Sequence, residues 1–439
     1  MASAWLGAVP LAGAAPRKGR RVIIIGAGMA GLAAARQLKR LRFDVLVLEA
    51  RDRLGGRVWT DRSTGCAFDL GASWIHGTRG GNPLTGLARR AKVVPVSTNW
   101  DEILLVDGRG QEFSDSDWEN LDAAAELVFQ RLAAAARQAG SGQSLGDVLP
   151  SAIAATGLNG RLLEALNWVV AQEIEGEYAA SADSLSLASW RADKSFPGPD
   201  AMLRGGYDKI TTFLAAGLDI RLNSPVYSIE TSTDGVHVFG DNFTEKADHV
   251  IVTVPLGVLK AGTIQFSPAL PEDKRAAISR IGMGLLDKVG LVFPEAGWPD
   301  WVHVAGCSEG RAFGFYPLQR TSGQPAIVGL LADDAARSLE DLSDEAVLGI
   351  AMGELKTIFG SNLPDPTAFV RTRWARDPLA LGSYSYVAAG SSLQDYLTLS
   401  RPVGTRLFFA GEATESSYPS TVHGAYLSGM REARRIQRL

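Results

Sequence analysis

Hydrophobic residues near the start of the chain form two short continuous runs that are separated by a glycine-rich turn and an alanine- and leucine-rich stretch. Val22–Ile25 and Val45–Leu48 are apolar throughout, which is typical of parallel strands covered on both faces. Residues 26–31 between them read Gly-Ala-Gly-Met-Ala-Gly, and the following residues to Leu41 favour a helix. The pattern therefore predicts a strand–turn–helix–strand unit in a parallel sheet.

Further along, helical spacing of apolar residues and glycine stop signals predict three longer helices. We expect them from about residue 115 to 139, from Pro271 as first helical residue to Ile281, and after Ser343 up to the residue before Gly360. Short apolar segments predict strands at residues 220–222, 226–230, 236–238, 249–254, 289–293 and 406–410. Because strands and helices alternate to both ends, the predicted fold class is α/β with a discontinuous nucleotide domain.

The glycine turn has the chemistry of a dinucleotide-binding motif. Gly26 permits a tight turn, Gly28 lets the backbone approach a pyrophosphate, and Gly31 lets the helix pack closely on the strand. The helix N-terminus supplies amide donors and the positive end of a dipole. Glu49 follows Gly28 by 21 residues and ends the second strand, so we expect it to accept hydrogen bonds from an adenosine ribose. This geometry is common to FAD and NAD sites.

Composition excludes several other classes of protein. The net charge is −4 and 21% of residues are charged, so nucleic acid is not expected as a main partner. The two cysteines, Cys66 and Cys307, are far apart, and the five histidines are scattered, so neither a disulfide framework nor a metal site is expected. No apolar run reaches the roughly 18 residues that a membrane span needs.

Residues 1–20 are interpreted as a leader that is separate from the fold. Residues 5–16 resemble the apolar end of a secretory signal, but no basic stretch precedes them. Either a disordered leader or the remnant of an export signal explains this pattern, so the location of the protein stays open between cytoplasmic and exported.

The segment after Glu49 carries a second glycine pair, including Gly56, and arginines that are expected to neutralise the same pyrophosphate. With this segment the chain resembles the flavin-containing amine oxidases, a family of polyamine oxidases, monoamine oxidases, L-amino-acid oxidases and flavin histone-lysine demethylases. The resemblance covers almost the whole chain. It depends on ordered motifs at residues 26–57, 69–77, 282–289, 373–374, 382–386 and 409–429.

The resemblance implies a Rossmann-type FAD-binding domain and an α+β substrate-binding domain. The first would comprise residues 21–90, 205–262 and 400–439, and the second residues 91–204 and 263–399. FAD is expected to be non-covalent, because no cysteine follows Cys307 to tether it. The residues assigned to FAD are Gly26, Gly28, Gly31, Glu49, Arg51, Gly56, Arg57, Gly71, Ala72, Ser73, Trp74, Val226, Trp374, Gly411, Glu412, Thr421 and Val422. Val226 is equally explained as an ordinary strand core residue.

The resemblance also implies a reaction. Flavin N5 would take a hydride from the carbon beside the amine nitrogen, water would hydrolyse the imine to an aldehyde and an amine, and O2 would reoxidise the flavin to give hydrogen peroxide. Lys288 matches the family lysine that holds a water against N5, and burial should lower its pKa. Tyr386 matches an aromatic wall of the amine site and Thr421 the opposite wall, so this half-open cage suits a secondary or long-chain amine.

Four further residues are expected near the substrate. Glu177 lies in the acidic and aromatic segment Glu173–Tyr178, where polyamine oxidases place an acidic contact, although a solvated acidic loop explains this segment equally well. His76 matches a histidine that animal-type polyamine oxidases place near the substrate. Tyr418 and Trp374 are expected to line the same cavity, whereas His423 is interpreted as structural.

These features predict an FAD-dependent polyamine oxidase that acts on spermine, spermidine or an acetylated form, with O2 as the second substrate. A monoamine oxidase or an L-amino-acid oxidase is the alternative, and the latter needs a buried arginine such as Arg204 or Arg371. A non-catalytic flavin-binding scaffold is the alternative of another class. Histone demethylation is disfavoured because the chain shows no long coiled-coil insertion or additional N-terminal domain. The protein is expected to be a monomer or a homodimer, and the carbon–nitrogen bond that is cleaved stays open.

Overall fold

The computed structural model describes residues 20–100, 102–299, 303–306 and 313–439. The predicted leader lies outside them except for Arg20, and so does Cys307. The first strand of the chain forms the centre of a five-stranded parallel sheet, in which residues 22–25 are almost completely buried. The strands, in order across this sheet, are Leu407–Phe409, His249–Val252, Arg21–Ile25, Asp44–Leu48 and Asp219–Arg221.

This sheet collects strands from three distant parts of the chain. Ile24 pairs with Val47 on one side and with Ile251 on the other. The helix Met29–Arg40 covers one face and packs against the C-terminal helix Val422–Gln437. The contact between the two helices is close, since a Cβ on Gly429 would lie 2.1 Å from the carbonyl oxygen of Ala30. The end of the chain therefore completes the nucleotide fold begun at its start.

The chain forms further helices besides these two. They are Pro83–Arg90, Asp115–Ala136, Leu149–Ala154, Gly160–Ala171, Asp208–Ala215, Leu256–Ala261, Glu272–Arg280, Gln319–Ser322, Asp333–Glu340, Asp344–Phe359 and Leu393–Ser400, with a π-helical turn at Gln172–Gly176 and a 3₁₀ turn at Glu412–Thr414. Pro271 was expected as a first helical residue, but its ψ of 147° is extended, so it is the N-cap and the helix begins at Glu272.

The middle of the chain forms a second sheet, which has six strands. Its strands, in order, are Ala368–Arg371, Leu286–Val292, Ala326–Ala332, Gly314–Pro317, His303–Gly306 and Ile103–Val106, and only the last pair is parallel. The smaller sheets are Phe243–Ala247, Gly235–Gly240, Val226–Ser232 and Gln265–Ser267; Trp74–Ile75, Ala201–Leu203 and Pro95–Ser97; Thr60–Asp61 with Phe68–Asp69; and Gly282–Met283 with Ser385–Tyr386.

The predicted fold class is confirmed: a parallel nucleotide-binding sheet is combined with mixed and antiparallel sheets and helices. All five parallel strands fall within the three segments predicted for FAD binding, while the exact domain boundaries stay a prediction. Within the described ranges, no helix has both the length and the apolar character to cross a membrane.

Candidate active site

A large cavity extends from the glycine turn at Gly26 to the acidic segment that contains Glu177. Its volume is about 1510 Å³. A pocket for one drug-sized ligand has roughly 300–1,000 Å³. The cavity therefore has room for a dinucleotide and a second molecule.

The glycines at the nucleotide end have three separate physical roles. Gly26 has a φ of +105°, and a Cβ there would lie 2.6 Å from Thr253 Oγ1. A Cβ on Gly31 would lie 2.0 Å from the Gly26 carbonyl oxygen, so Gly31 sets the close packing of helix and strand and does not itself line the cavity. At Gly28, by contrast, the nearest atom to a Cβ is 3.8 Å away. Protein packing does not require glycine at this position, and its open side faces the cavity.

The first turn of the helix Met29–Arg40 is suited to an anion. Gly28, its N-cap, provides no side-chain acceptor, and the first turn contains no acidic residue. The leading amides therefore have no competing carboxylate, and the positive end of the helix dipole faces the cavity. A diphosphate fits this arrangement, and a carboxylate-capped helix would not accept one.

Glu49 is buried at the end of the second strand and lines the same part of the cavity. Its Oε2 accepts a hydrogen bond of 2.6 Å from the Ala27 amide, and its Oε1 accepts one of 2.9 Å from the Arg51 amide. These bonds fix the carboxylate in place, and each oxygen keeps a further lone pair for a hydroxyl donor. The position fits the predicted contact with a ribose.

The two arginines expected at the pyrophosphate line the cavity, but each is already paired with a carboxylate. Arg51 contacts both Asp377 oxygens, at 2.9 and 3.0 Å. Arg57 donates to Glu412 Oε1 at 2.9 Å and to the Ser383 carbonyl oxygen at 2.8 Å. Much of their charge is therefore neutralised by the protein, and the helix amides become the main anion-binding group.

Glu412 follows an apolar strand, and its carboxylate is hydrogen-bonded within the protein. Its side chain is buried, and besides Arg57 it accepts a hydrogen bond of 2.5 Å from Ser385 Oγ. Gly411 before it has a φ of +134°, and both residues line the cavity. Gly56 and Val226 also line it, and Val226 is the first residue of its strand. The C-terminal strand thus reaches the cavity beside the strand that carries Tyr386.

The segment Gly71–Trp74 lies next to Lys288, and all of its residues line the cavity. Lys288 Nζ donates hydrogen bonds to the Asp69 carbonyl oxygen at 2.9 Å, the Gly71 carbonyl oxygen at 2.6 Å and Ser73 Oγ at 2.5 Å. Nζ also lies 5.6 Å from the centre of the Trp74 ring. Sequence matching placed Lys288 and this segment each near the flavin, and the structure adds the direct contact between them, across more than 200 residues of chain.

Burial makes the Lys288 ammonium easier to deprotonate than that of an exposed lysine. The side chain is 3% exposed, and loss of hydration lowers the pKa of its ammonium to about 8, although the nearby Asp69 carboxylate opposes the shift. Burial also raises the pKa of Asp69 to about 6. The predicted direction of the Lys288 pKa shift is therefore found, and both groups titrate near neutral pH.

Tryptophan 374 closes the wall beside Lys288. Trp374 is buried and lines the cavity, and its Nε1 donates to the Leu70 carbonyl oxygen at 3.3 Å. The Asp287 carboxylate accepts hydrogen bonds from the Trp374 amide at 3.1 Å and from Thr372 Oγ1 at 2.6 Å. The residue before Lys288 thus fixes the position of the tryptophan.

At the substrate end, His76, Glu177 and Tyr386 all line the cavity. His76 Nδ1 lies 2.8 Å from Asp200 Oδ2. Burial alone would lower the pKa of His76, but the hydrogen bond and charge of Asp200 outweigh it and raise the pKa above its ordinary value. Burial raises the pKa of Glu177, and the charge of His76 opposes that shift. His76 and Glu177 are therefore brought together, with Asp200 as an additional member, and Tyr386 lines the same cavity.

Thr421 lines the cavity, but its hydroxyl is engaged in the protein. It is the N-cap of the helix Val422–Gln437, where Oγ1 accepts from the Gly424 amide at 2.9 Å and donates to the Tyr418 carbonyl oxygen at 2.9 Å. Val422 begins the helix and lines the cavity. Thr421 therefore contributes a helix terminus to the site, and its hydroxyl has no remaining proton to donate.

Tyr418 departs from the prediction, because it is not among the described residues that line the cavity. Its ring stacks on Phe196 at a centroid distance of 4.6 Å and meets His423 edge-on at 5.1 Å. Phe196 and His423 do line the cavity. Tyr418 supports the wall from behind, since its face is used by the stack with Phe196. Burial lowers the pKa of His423 to about 4, so it is neutral, as expected of a structural histidine.

The acidic character of the cavity extends well beyond the predicted segment. Outside the nucleotide end, nine carboxylates line it: Asp122, Glu164, Glu173, Glu175, Glu177, Asp193, Asp200, Asp333 and Asp334. The carboxylates outside the segment Glu173–Tyr178 belong to no motif, so no sequence signal identifies them. Burial raises the pKa of Glu175 to about 7, and Asp333, Asp334 and Asp183 add to that shift.

Positive charges are few in the described cavity wall. They are Arg51 and Arg57 at the nucleotide end, Lys288, and Lys194. Neither Arg204 nor Arg371 is among the described residues that line the cavity. Arg371 instead donates to Asp344 at 2.8 Å and to the Leu339 carbonyl oxygen at 2.8 Å. The substrate end therefore offers no arginine for the carboxylate of an amino acid.

A family profile described as flavin containing amine oxidoreductase matches residues 29–437. The chain belongs to this family. The resemblance predicted from the motifs is thereby confirmed, and so is FAD as the cofactor that the family implies. The glycine cradle, the uncapped helix end and Glu49 fit that cofactor.

Two curated relatives from Arabidopsis thaliana point to different substrates. The chain is 40% identical to Lysine-specific histone demethylase 1 homolog 2, over 94% of this chain and 58% of that protein. It is 37% identical to Polyamine oxidase 2, over 94% of this chain and 87% of that protein. This chain thus spans just over half the length of the demethylase relative. Because the two identities are comparable, the choice between their substrates depends on the cavity.

Among solved structures, a putrescine oxidase bound to putrescine superposes with a TM-score of 0.77. The alignment covers 96% of this chain and 99% of that chain at 22% sequence identity. At this identity the similarity shows a shared fold. It agrees with the α/β architecture that the motifs predicted.

Proposed function

We propose that the protein is a polyamine oxidase that uses non-covalent FAD to oxidise spermine, spermidine or an acetylated form. The observation that carries this proposal is the excess of nine carboxylates over two lysines in the cavity wall outside the nucleotide end. Such a surface favours a substrate with several positive charges and disfavours an anionic one. The aromatic rings between the carboxylates add cation–π contacts.

Two observations support a dissociable cofactor. The described cavity wall contains no cysteine, and the described cysteine, Cys66, is buried elsewhere. The helix amides at Gly28 and the Glu49 carboxylate would then hold the diphosphate and ribose by hydrogen bonds alone. When bound, FAD supplies the acceptor for a hydride from the carbon beside the amine nitrogen and passes the electrons to O2, giving hydrogen peroxide.

The chain's own residues prepare the amine and a water. As an ammonium, Lys288 uses all three N–H donors on protein oxygens. As a neutral amine it has two donors and one lone pair, so it can accept a proton from a water beside it. Its lowered pKa makes this form available near neutral pH. Tyr386 provides the aromatic wall, and a protonated His76 disfavours a second positive charge on the reacting nitrogen.

The alternatives demand features that this cavity does not supply. An L-amino-acid oxidase needs a cation for the substrate carboxylate, and the two described lysines of the cavity wall, Lys288 and Lys194, are outnumbered there by nine carboxylates. A monoamine oxidase has no use for nine carboxylates along its substrate path. A basic peptide, as the demethylase relatives suggest, uses the same charges, so the experiment must include one.

The test is a hydrogen peroxide assay on the FAD-loaded protein. The amines are spermine, spermidine, N-acetylspermine, putrescine, tyramine, L-amino acids and a peptide with dimethyl-lysine. We expect the highest kcat/KM with spermine, spermidine or the acetylated form. Lys288→Met should abolish most turnover while the protein keeps its FAD, which assigns the peroxide to this site. A higher kcat/KM for the peptide would establish a demethylase-like activity instead, and no peroxide with any amine would favour a flavin-binding scaffold.

A further inference from the structure

Two buried carboxyl groups behind the cavity wall have no role in the reaction proposed above. Asp287, on the strand Leu286–Val292, is 5% exposed, and Glu340, the last residue of the helix Asp333–Glu340, is 4% exposed. Neither is among the described residues that line the cavity. A buried carboxylate destabilises a fold unless it is paired or hydrogen-bonded, so two of them at one place require a physical reason.

Both carboxyl groups hold the segment that carries Trp374. Asp287 Oδ1 accepts a hydrogen bond of 3.1 Å from the Trp374 amide, and Glu340 Oε1 accepts one of 2.7 Å from the amide of the next residue, Ala375. The strand and the helix thus bind consecutive amides of one turn. This arrangement brings the two carboxyl groups together at the back of the tryptophan.

One oxygen of Asp287 lacks the donor that a buried acceptor needs. No described hydrogen bond reaches Oδ2, although the atom is buried. Burial raises the pKa of Asp287 to about 7, and the adjacent Glu340 carboxyl adds to that rise through its charge and a hydrogen bond that only a protonated acid can make. A proton on Oδ2 gives this oxygen a partner and gives Glu340 a donor.

Arg376 approaches the pair from the solvent side. Its Nε lies 3.9 Å from Glu340 Oε2, but its side chain is 57% exposed and its guanidinium also contacts Asp341. Because solvent screens an exposed arginine, it neutralises little of the buried charge. The nearby arginines pair with Asp344 instead, and they are Arg371 and Arg373.

One hydroxyl connects the pair to the strand of Lys288. Thr372 Oγ1 donates to Asp287 Oδ1 at 2.6 Å and accepts from the Lys288 amide at 2.8 Å. The Lys288 ammonium extends elsewhere, to Ser73 and two carbonyl oxygens. Trp374 and Lys288 both line the cavity, so the network ends at the part of the wall that was assigned to the flavin.

We propose that Asp287 and Glu340 share one proton and that the resulting hydrogen bond positions Trp374 at the flavin site. Both acids are positioning residues, because they act through the Trp374 segment. With the proton the pair carries one negative charge, and without it two charges repel each other where little water screens them. The position of Trp374 therefore depends on pH. This inference rests on the FAD site of the proposed function and not on the choice of amine.

The first test asks whether the shared proton exists. Infrared spectra of the FAD-loaded protein are recorded from pH 5 to 9 for the wild type and for Glu340→Gln. Glutamine still accepts from the Ala375 amide and donates an N–H to Asp287, so it copies the bonded pair without a titrating proton. The wild-type spectrum minus that of the variant should show the carbonyl band of one protonated carboxylic acid, which is lost as pH rises through about 7. Glu175 and Asp69 titrate in the same range and cancel in this difference.

The second test asks whether the pair positions the flavin site. The rate at which the loaded protein releases FAD is followed by the fluorescence of free FAD. At pH 6, Glu340→Ala should release FAD about tenfold faster than the wild type, the value of one hydrogen bond to a charged group, whereas Glu340→Gln should match the wild type. Above pH 8 the wild type should release FAD faster than Glu340→Gln, because only the wild-type pair then carries two charges. Asp341→Asn, which changes the exposed carboxylate next in the chain, should follow the wild type at every pH.

Each test has an outcome that overturns the proposal. A difference spectrum without the carbonyl band would remove the shared proton. Equal FAD release by the wild type and Glu340→Ala, or equally fast release by Glu340→Gln and Glu340→Ala, would remove the positioning role. If Glu340→Ala does not fold, the infrared band and the comparison of Glu340→Gln with the wild type above pH 8 still decide. A wild-type protein that binds no FAD would instead overturn the proposed function, and the infrared difference of the FAD-free protein would still decide whether the proton is shared.

Discussion

Replacement of Lys288 by methionine tests the chemistry of the site most sharply. The change keeps the length of the side chain and removes its nitrogen. In the wild type the lysine pKa is about 8, compared with an ordinary value of 10.5. If the neutral amine is the active form, about one tenth of the protein carries it at pH 7. The rate should therefore rise about tenfold per pH unit below pH 7 and level off above pH 8.

Reoxidation of the reduced flavin by O2 is the step to measure, because no substrate amine titrates in it. Stopped-flow absorbance from pH 6 to 9 gives the wild-type profile, and anaerobic reduction by spermidine is followed in parallel. For Lys288→Met we expect either flavin reoxidation or flavin reduction to slow by about 10²–10⁴, the usual contribution of a general base. The pH profile of the slowed step should also lose its inflection near pH 8. The flavin content should stay the same, since no FAD-binding role is assigned to Nζ.

Lys274→Met is the matched control. Lys274 is also buried, donates to three carbonyl oxygens and has a pKa that burial lowers to about 7, but it is not among the described residues that line the cavity. Its loss should leave the pH profile of both flavin steps intact. Unchanged rates in Lys288→Met, or an inflection that persists there, would refute the role assigned to Lys288.

Three other predictions follow from the same geometry. Glu49→Ala should weaken FAD binding about ten- to hundredfold, since a charged hydrogen-bond acceptor is lost; fluorescence titration of the apoprotein measures this, and undiminished affinity would remove the ribose contact. Asp200→Asn should lower the pKa of His76, and NMR titration of the imidazole measures the change. Because the folded pKa of His76 is raised, the stabilising effect of the His76–Asp200 pair is present below pH 6.5 and is lost as pH rises through the folded value. An unshifted imidazole resonance would count against this pair. Gly31→Ala should destabilise the fold by about 1–3 kcal/mol in chemical denaturation, because its methyl would lie 2.0 Å from the Gly26 carbonyl oxygen, and wild-type stability would show that the helix can shift freely.

The nucleotide end could be predicted from sequence because its function resides in the backbone. Gly26, Gly28 and Gly31 each satisfy a local steric demand, and Glu49 follows at a spacing that the strand–helix–strand unit sets. Lys288 was found through its motif alone. Its spacing on a strand favours a lysine that reaches solvent, and its three acceptors come from a segment more than 200 residues away.

The substrate end was harder to predict from the sequence, because its residues meet only through tertiary packing. The cavity-lining aromatic residues Trp100, Trp168, His303 and Tyr316 come from separate segments of the chain and carry no shared motif. Tyr418 was misjudged for the same reason: its proximity in sequence to Thr421 does not show that its ring stacks on Phe196. Thr421 was correctly placed at the cavity, but its role as a helix N-cap depends on the start of the helix Val422–Gln437.

The arginines show how packing changes a prediction that is right about location. Arg51 and Arg57 line the nucleotide end as expected. Their partners, Asp377 and Glu412, lie more than 300 residues away in the chain, and these carboxylates neutralise much of the charge that the diphosphate was expected to meet. A local motif identifies the guanidinium groups, whereas the tertiary fold decides how much positive charge they offer.

The relative kcat/KM of the FAD-loaded protein for spermidine and for a dimethyl-lysine peptide tests the central claim most directly. Both substrates are cationic, so the ratio depends on whether the carboxylates and the aromatic side chains of the cavity wall fit a free polyamine chain. We expect a clear preference for spermidine. A preference for the peptide would contradict the proposed function.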